Sequence, residues 1–285
     1  MALAGRFGAH GARLATGTAL GVVAASCLAL GGWPLFVLAL LAGLAAAWEF
    51  LSLTHTSLPG RIITLAALTG GMAAVQLGQP AVAVAVLGLT WWLGSLGFLL
   101  RSGSPAKRDS ASGDAAGWLI WQTPASTLLY IAAPLCIALS WTPWQNALVL
   151  AGTIASDVGA YYAGHLIGGP KLWPAVSPKK TWAGSLGGLA ATLALTAGAG
   201  QIWGVQLVGL DPGVSFPLWT WLALGATISV AAQLGDLFES ALKRHAGVKD
   251  SGTLLPGHGG VLDRIDGLLA AAPAAGLFVF VWNML

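Results

Sequence analysis

Apolar residues in this chain run in long blocks, and polar residues crowd into the short gaps between them. A helix that crosses a bilayer needs about 20 mostly apolar residues, with a range of roughly 17–25. Laid along the chain, that ruler predicts about nine spans: Leu14–Gly31, Pro34–Leu51, Ile62–Leu77, Pro80–Leu100, Trp118–Leu139, Trp144–Ile167, Trp182–Trp203, Phe216–Glu239 and Ile265–Leu285. Several breaks are short and turn-like, such as Gly31-Gly32-Trp33-Pro34, Gly78-Gln79-Pro80 and Trp141-Thr142-Pro143-Trp144. Ser102–Gly117 is the one Ser-, Gly- and charge-rich linker, and no internal repeat is visible. The expected fold is all-α, a polytopic integral membrane helical bundle with a polar cavity facing the cytoplasm. One transmembrane domain covers 1–285, with N-terminal helices in 1–139 and C-terminal helices in 144–285.

Composition excludes a soluble protein. Hydrophobic residues make up 56% of the chain and charged residues 8%, with a mean hydropathy of +0.77. Soluble domains carry about 25% charged residues. The 40 glycines suit helices that pack backbone to backbone in lipid. Cys27 and Cys136 lie inside apolar blocks and form neither a disulfide nor a metal-ligand pattern. The first block follows Arg6 and Arg13, as a signal peptide would. A second apolar block follows it almost at once, so it is expected to stay as a transmembrane helix.

The net charge of +3 is small, and no basic stripe with interleaved aromatics suggests nucleic acid. The placement of the charges says more. In a nine-span arrangement all 13 Lys and Arg residues fall on one side of the membrane. The positive-inside rule makes that side cytoplasmic, with the N-terminus inside and the C-terminus outside.

Acids at membrane depth are expensive and mark functional sites. Asp157 falls within the sixth span. Asp236 and Glu239 close the eighth span one turn apart, and Asp263 and Asp266 open the ninth at the same spacing. Paired carboxylates on neighbouring helix ends suit a hard cation such as Mg²⁺. The plainer alternative is pairing with nearby cations, and for Glu239 that is the favoured reading, because Lys243 lies at i+4. Between these spans Lys243, Arg244 and Lys249 precede a Pro256-Gly257-His258-Gly259-Gly260 turn that feeds a helix carrying two Asp. Gly-rich turns and helix N-termini offer backbone N–H groups to phosphate oxygens. Cations, acids and exposed amides together are equipment for a polyphosphate. No Walker A ending is present. A second polar stretch, Ser177-Pro178-Lys179-Lys180-Thr181-Trp182, opens the seventh span; its lysines hold phosphates or simply mark topology.

The pattern S-x-x-K-R-x(4)-K-D from Ser240 to Asp250, followed by P-G-H-G-G-x-x-D-R-x-D from Pro256 to Asp266, resembles the signature of the phosphatidate cytidylyltransferases. The resemblance extends to Ser156-Asp157 with Ala160-Tyr161, to Ser177–Trp182, to Gln233–Ser240 and, more weakly, to Ala47-Trp48-Glu49-Phe50. It is strong in the C-terminal half, which it marks as catalytic, and weak in the N-terminal half. It implies transfer of CMP from CTP to phosphatidic acid, giving CDP-diacylglycerol and pyrophosphate for phospholipid biosynthesis in a bacterial-type inner membrane. It further implies Mg²⁺ or Mn²⁺, a second metal ion and a homodimer. By the same resemblance Asp236, Asp263 and Asp266 bind metal, and Asp236, Asp263, Lys249 and Arg264 are catalytic. Substrate binding falls to Ser177, Lys179, Lys180, Thr181, Lys243, Arg244, Asp250, His258, Gly259 and Gly260. His258 is expected to orient the turn or bind phosphate rather than to act as a base. Ala183, His165 and Gly169 depart from the family pattern. Competing readings are a CTP-dependent polyprenol kinase, an enzyme of an unusual lipid phosphate, and an ion or phosphate transporter. Transporters favour midplane sites within inverted repeats, and neither is visible here.

Overall fold

The computed structural model describes residues 17–90, 123–208, 216–255 and 259–282. The expected linker 102–117, parts of the fourth and fifth spans, the cations Arg6, Arg13, Arg101, Lys107 and Arg108, and His258 lie outside the described residues.

Among the described residues nine helical elements follow one another: α1 (Gly17–Leu30), α2 (Gly32–Leu53), α3 (Leu58–Gln76), α4 (Pro80–Thr90), α5 (Thr123–Leu139), α6 (Pro143–Leu166), α7 (Trp182–Val208), α8 (Leu218–His245) and α9 (Leu262–Trp282). Five of them, α2, α3, α7, α8 and α9, are long and apolar enough to cross a membrane, and α1, α4 and α5 are shorter apolar helices. The chain is an integral membrane protein of predominantly helical fold.

The turn signals act where they were expected. At Thr142 the side chain accepts from the Gln145 N–H at 3.3 Å, and the Gln145 side chain accepts from the Thr142 N–H at 2.9 Å, with Pro143 following. This reciprocal cap satisfies two donors that would otherwise be orphaned at the start of α6. Two departures matter. The eighth helix runs to His245, beyond the expected end at Glu239, because the Glu239–Lys243 ion pair and the Ser240–Asp236 hydrogen bond both fall at i,i+4. The all-α membrane fold also carries one short β element. After α6, Gly168 and Gly169 take positive φ values of 65° and 95°, which a side chain would resist. The chain then forms an antiparallel hairpin of β1 (Lys171–Trp173) and β2 (Ser177–Thr181), with Lys171 opposite Thr181.

The described chain forms two compact units. One contains α1, α6, the hairpin, α7, α8 and α9 from Asp263 onward; the other contains α2 to α5 and the segment Ser251–Leu262. In the first, α6 and α7 pack closely through small residues. A Cβ on Gly159 would meet the Gly187 carbonyl oxygen at 2.6 Å, and one on Gly188 would meet that of Ser156 at 2.6 Å. Such contacts suit lipid, where helices gain from close packing rather than from hydrophobic exclusion. A core of Leu148, Val149, Trp221, Leu224, Ile228, Ala232, Ala271 and Ala275 joins α6, α8 and α9. The second unit buries Phe50, Leu51, Leu68, Met72, Leu128 and Ile131.

Candidate active site

The residues that carry the chemistry gather at one end of the first unit, where α6 ends, the hairpin folds back and α8 passes behind. Their apolar neighbours leave few groups to satisfy polar atoms, so the polar side chains satisfy one another. Ser156 on α6 and Ser229 on α8 share a hydrogen bond at 2.9 Å. Gln233 on α8 donates to Ser229 Oγ and to the Ser185 carbonyl, each at 3.1 Å, and accepts from the Ser185 hydroxyl on α7. This network locks α6, α7 and α8 together directly beneath Asp236.

Above it lies a cavity of about 560 Å³, within the range of ligand sites. Its lining includes Asp157, Tyr161, His165, Lys171, Lys179, Lys180, Thr181, Ser185, Gln233 and Asp236. Lys180 Nζ reaches Asp236 Oδ2 at 2.7 Å, with the two side chains 25% and 39% exposed. Thr181 is buried and its Oγ1 accepts from the Gly184 N–H at 3.1 Å, so it caps α7 while facing the cavity. Tyr161 and His165 lie one turn apart on α6 with parallel rings 6.1 Å between centroids, and both line the cavity.

A second charged cluster is buried. Lys243 Nζ lies 2.5 Å from Glu239 Oε2 and 2.6 Å from Asp263 Oδ1, with side-chain exposures of 13%, 1% and 6% for Lys243, Glu239 and Asp263. The pairing expected for Glu239 is thus present. Asp263 and Lys243, expected to serve metal and phosphate respectively, hold each other across α8 and α9. Asp266 lies where α9 packs closely on α8, for a Cβ on Gly235 would meet the Asp266 carbonyl oxygen at 2.6 Å. Its carboxylate is within electrostatic reach of Asp236 and Asp157.

The expected site residues therefore divide. Lys179, Lys180, Thr181 and Asp236 share the cavity; Ser177 sits in the hairpin, outside its lining. Arg244, Lys249 and Asp250 are exposed, and an Arg244 guanidinium nitrogen donates to the Val248 carbonyl at 3.1 Å. Arg264 is exposed and in electrostatic reach of Asp157. Gly259 takes φ 82° and its carbonyl accepts from the Leu255 N–H at 3.0 Å. Among the described residues no three His, Cys, Asp or Glu side chains stand together as a ready metal site. The donor chemistry nonetheless fits Mg²⁺. That ion commonly takes one or two carboxylates and completes its shell with water and substrate phosphates, and Asp157 and Asp236 both face the cavity.

Tyr161, His165, Ser185 and Gln233 had no assigned role in the sequence reading, although Gln233 is a polar residue in an apolar helix and so a visible signal. Glu49 is another. In the second unit its carboxylate is buried at 6% exposure and accepts from Ser251 Oγ, Val261 N and Leu262 N at 3.0, 3.0 and 2.9 Å.

A model of the cytidylyltransferase family matches residues 11–282. The chain belongs to this family. Similar proteins include the phosphatidate cytidylyltransferase of Brucella suis biovar 1, 48% identical over 124 residues, which are 44% of this chain and 42% of that protein. Those of Staphylococcus saprophyticus (45% over 118 residues) and Staphylococcus haemolyticus (48% over 120 residues) each match 41% of this chain and 42% of their own length. The matched stretch thus spans less than half the length of these curated relatives. For this member of the cytidylyltransferase family, the cavity between α6, the hairpin, α7 and α8 brings lysines and carboxylates together.

Proposed function

We propose that this protein is a phosphatidate cytidylyltransferase, which joins CTP and phosphatidic acid into CDP-diacylglycerol and releases pyrophosphate. The observation that carries the reading is the cavity whose wall combines Lys179, Lys180 and Lys171 with Asp157 and Asp236, in a chain of the cytidylyltransferase family. A phosphate oxygen of the lipid forms a new bond to the α-phosphorus of CTP while the bond to the β-phosphate oxygen breaks. The nucleophile is already an anion at neutral pH, so positioning and charge neutralisation do most of the work.

Each group then has a task. Lys179 and Lys180 neutralise phosphate charge; Lys180 leaves Asp236 as a polyanion arrives. Tyr161 and His165 offer aromatic rings that suit a nucleobase. Asp236, Asp263 and Asp266 remain the proposed carboxylates for a divalent cation, with Asp157 added by its place in the cavity. When bound, such a cation supplies charge neutralisation and orientation of the phosphates. Lys243, held in the Glu239–Asp263 pair, fixes α8 against α9 and so orients Asp236 and Asp266. Lys249, Arg244, Arg264 and Asp250, in the same unit as the cavity, complete the proposed phosphate-handling surface; Gly259 and Gly260, in the second unit, remain proposed substrate-binding residues. The one-sided cations of a nine-span arrangement support a position for this surface at the cytoplasmic face of an inner membrane, with the lipid substrate reaching it from the bilayer. A homodimer accords with the glycine-rich helix faces.

The test is an assay of purified protein with radiolabelled CTP and phosphatidic acid, with ATP, GTP and UTP as nucleotide controls and polyprenol as a competing acceptor. Labelled CDP-diacylglycerol is expected. Transfer of a γ-phosphate to polyprenol, or no lipid-linked product with phosphatidic acid, contradicts the reading.

A further inference from the structure

Glu49 belongs to α2, in the half of the chain where the family signature is weak, yet the groups it holds all come from one segment more than 200 residues away. Its Oε2 accepts from the Ser251 hydroxyl at 3.0 Å and the Leu262 N–H at 2.9 Å, and its Oε1 accepts from the Val261 N–H at 3.0 Å. Gly252 and Gly260 close around the same carboxylate: a Cβ on either would collide with it. A buried carboxylate is costly unless hydrogen bonds replace its water, and among the described residues these three donors provide that replacement. Two of them are N–H groups at the start of α9, which have no partner within the helix. A negative charge at that end is also favoured by the helix dipole.

The nearest cation in sequence does other work. Arg61 donates to the Thr56 carbonyl at 2.9 Å and to Ser52 Oγ at 3.0 Å, and stacks over the Trp48 ring at 5.0 Å. Glu49 is therefore dedicated to Ser251–Leu262. The chain passes from Leu262 directly into Asp263, Arg264 and Asp266.

We propose that Glu49 is a positioning residue for the transfer reaction: its carboxylate gathers Ser251, Val261 and Leu262 and so sets how the chain delivers Asp263, Arg264 and Asp266. This rests on the functional reading above. An acid that only stabilised the fold would change the amount of active protein. A positioning acid changes how well the remaining protein handles the triphosphate.

The experiment uses the full-length protein purified in lipid-containing detergent, with Glu49→Gln, Glu49→Asp and Ser251→Ala. Gln keeps the volume but turns an NH₂ group toward a backbone donor. Asp keeps the charge on a shorter stem. Groups that orient active-site ligands typically cost 10–100-fold when altered. Glu49→Gln is expected to raise KM for CTP about tenfold and to lower kcat about tenfold, with KM for phosphatidic acid unchanged. Glu49→Asp recovers part of the loss, and Ser251→Ala shifts KM for CTP in the same direction by less. Hydrogen–deuterium exchange of the peptide covering Val261 and Leu262 is expected to accelerate in Glu49→Gln. Activity that falls only with the folded fraction, with both KM values unchanged, overturns the proposal, as does unaltered exchange at that peptide. Should Glu49→Gln not fold, Ser251→Ala decides through KM for CTP. A wild-type protein inactive on CTP and phosphatidic acid defeats the functional reading instead, and the exchange comparison still decides whether Glu49 holds the segment.

Discussion

Two lysines on neighbouring elements each meet carboxylates, in opposite surroundings. Lys180 pairs with Asp236 in an open cavity, at 25% and 39% exposure. Lys243 pairs with Glu239 and Asp263 under cover, where the carboxylates are 1% and 6% exposed. Exposed ion pairs contribute about 0–1 kcal/mol and exchange partners readily. Removing one member of a buried pair costs about 3–5 kcal/mol, because the remaining charge is stranded. The same residue types thus serve two ends. The open pair can part when a polyanion enters, whereas the covered cluster ties α8 to α9 and keeps the acids on both helices in register.

The difference can be broken or sharpened by experiment. Excess EDTA is expected to remove transfer activity completely and restoration of Mg²⁺ to recover it, measured by product formation; full turnover in EDTA contradicts the role given to the cavity carboxylates. Lys243→Met strands two buried acids and is expected to destabilise the protein by about 3–5 kcal/mol, visible as a large drop in the melting temperature in detergent. Asp236→Asn is expected to do the reverse: kcat/KM falls about 10²–10³-fold, and the melting temperature falls less than in Lys243→Met, because the lost pair is partly solvated, at 25% and 39% side-chain exposure. Smallest is Glu239→Gln. Lys243 keeps Asp263, so the cost is about 1 kcal/mol with activity close to wild type. A catalytic collapse in Glu239→Gln with an unchanged melting temperature would erase the distinction between the two clusters.

Much of this was legible from residue order. The apolar blocks located the described helices to within about six residues, because lipid demands continuous apolar length and Pro, Gly and Thr caps mark the ends. Asp236, Lys179, Lys180 and Thr181 reached the cavity because their spacing from helix ends fixes their height along the bundle. What was hidden depends on contacts distant in sequence. The partnership of Lys243 with Asp263 joins residues 20 apart, and the Glu49 cluster joins residues more than 200 apart. The hairpin was missed because Lys171–Thr181 is short and interrupted by Pro174 and Pro178, and so reads as loop. Tyr161 and His165 were unassigned because aromatic residues in an apolar helix ordinarily face lipid or core; only the fold brings the two parallel rings together in the cavity lining.

The central claim is that CTP occupies the cavity between α6, the hairpin, α7 and α8. Photocrosslinking with a CTP analogue carrying a reactive group on the base, followed by peptide mapping, tests it most directly. Labelling is predicted between Ala160 and Ser185, competed away by unlabelled CTP and weakened in Lys180→Ala. Competable labelling confined to α2, α3 or α5, with the Ala160–Ser185 peptides unmarked, would contradict it.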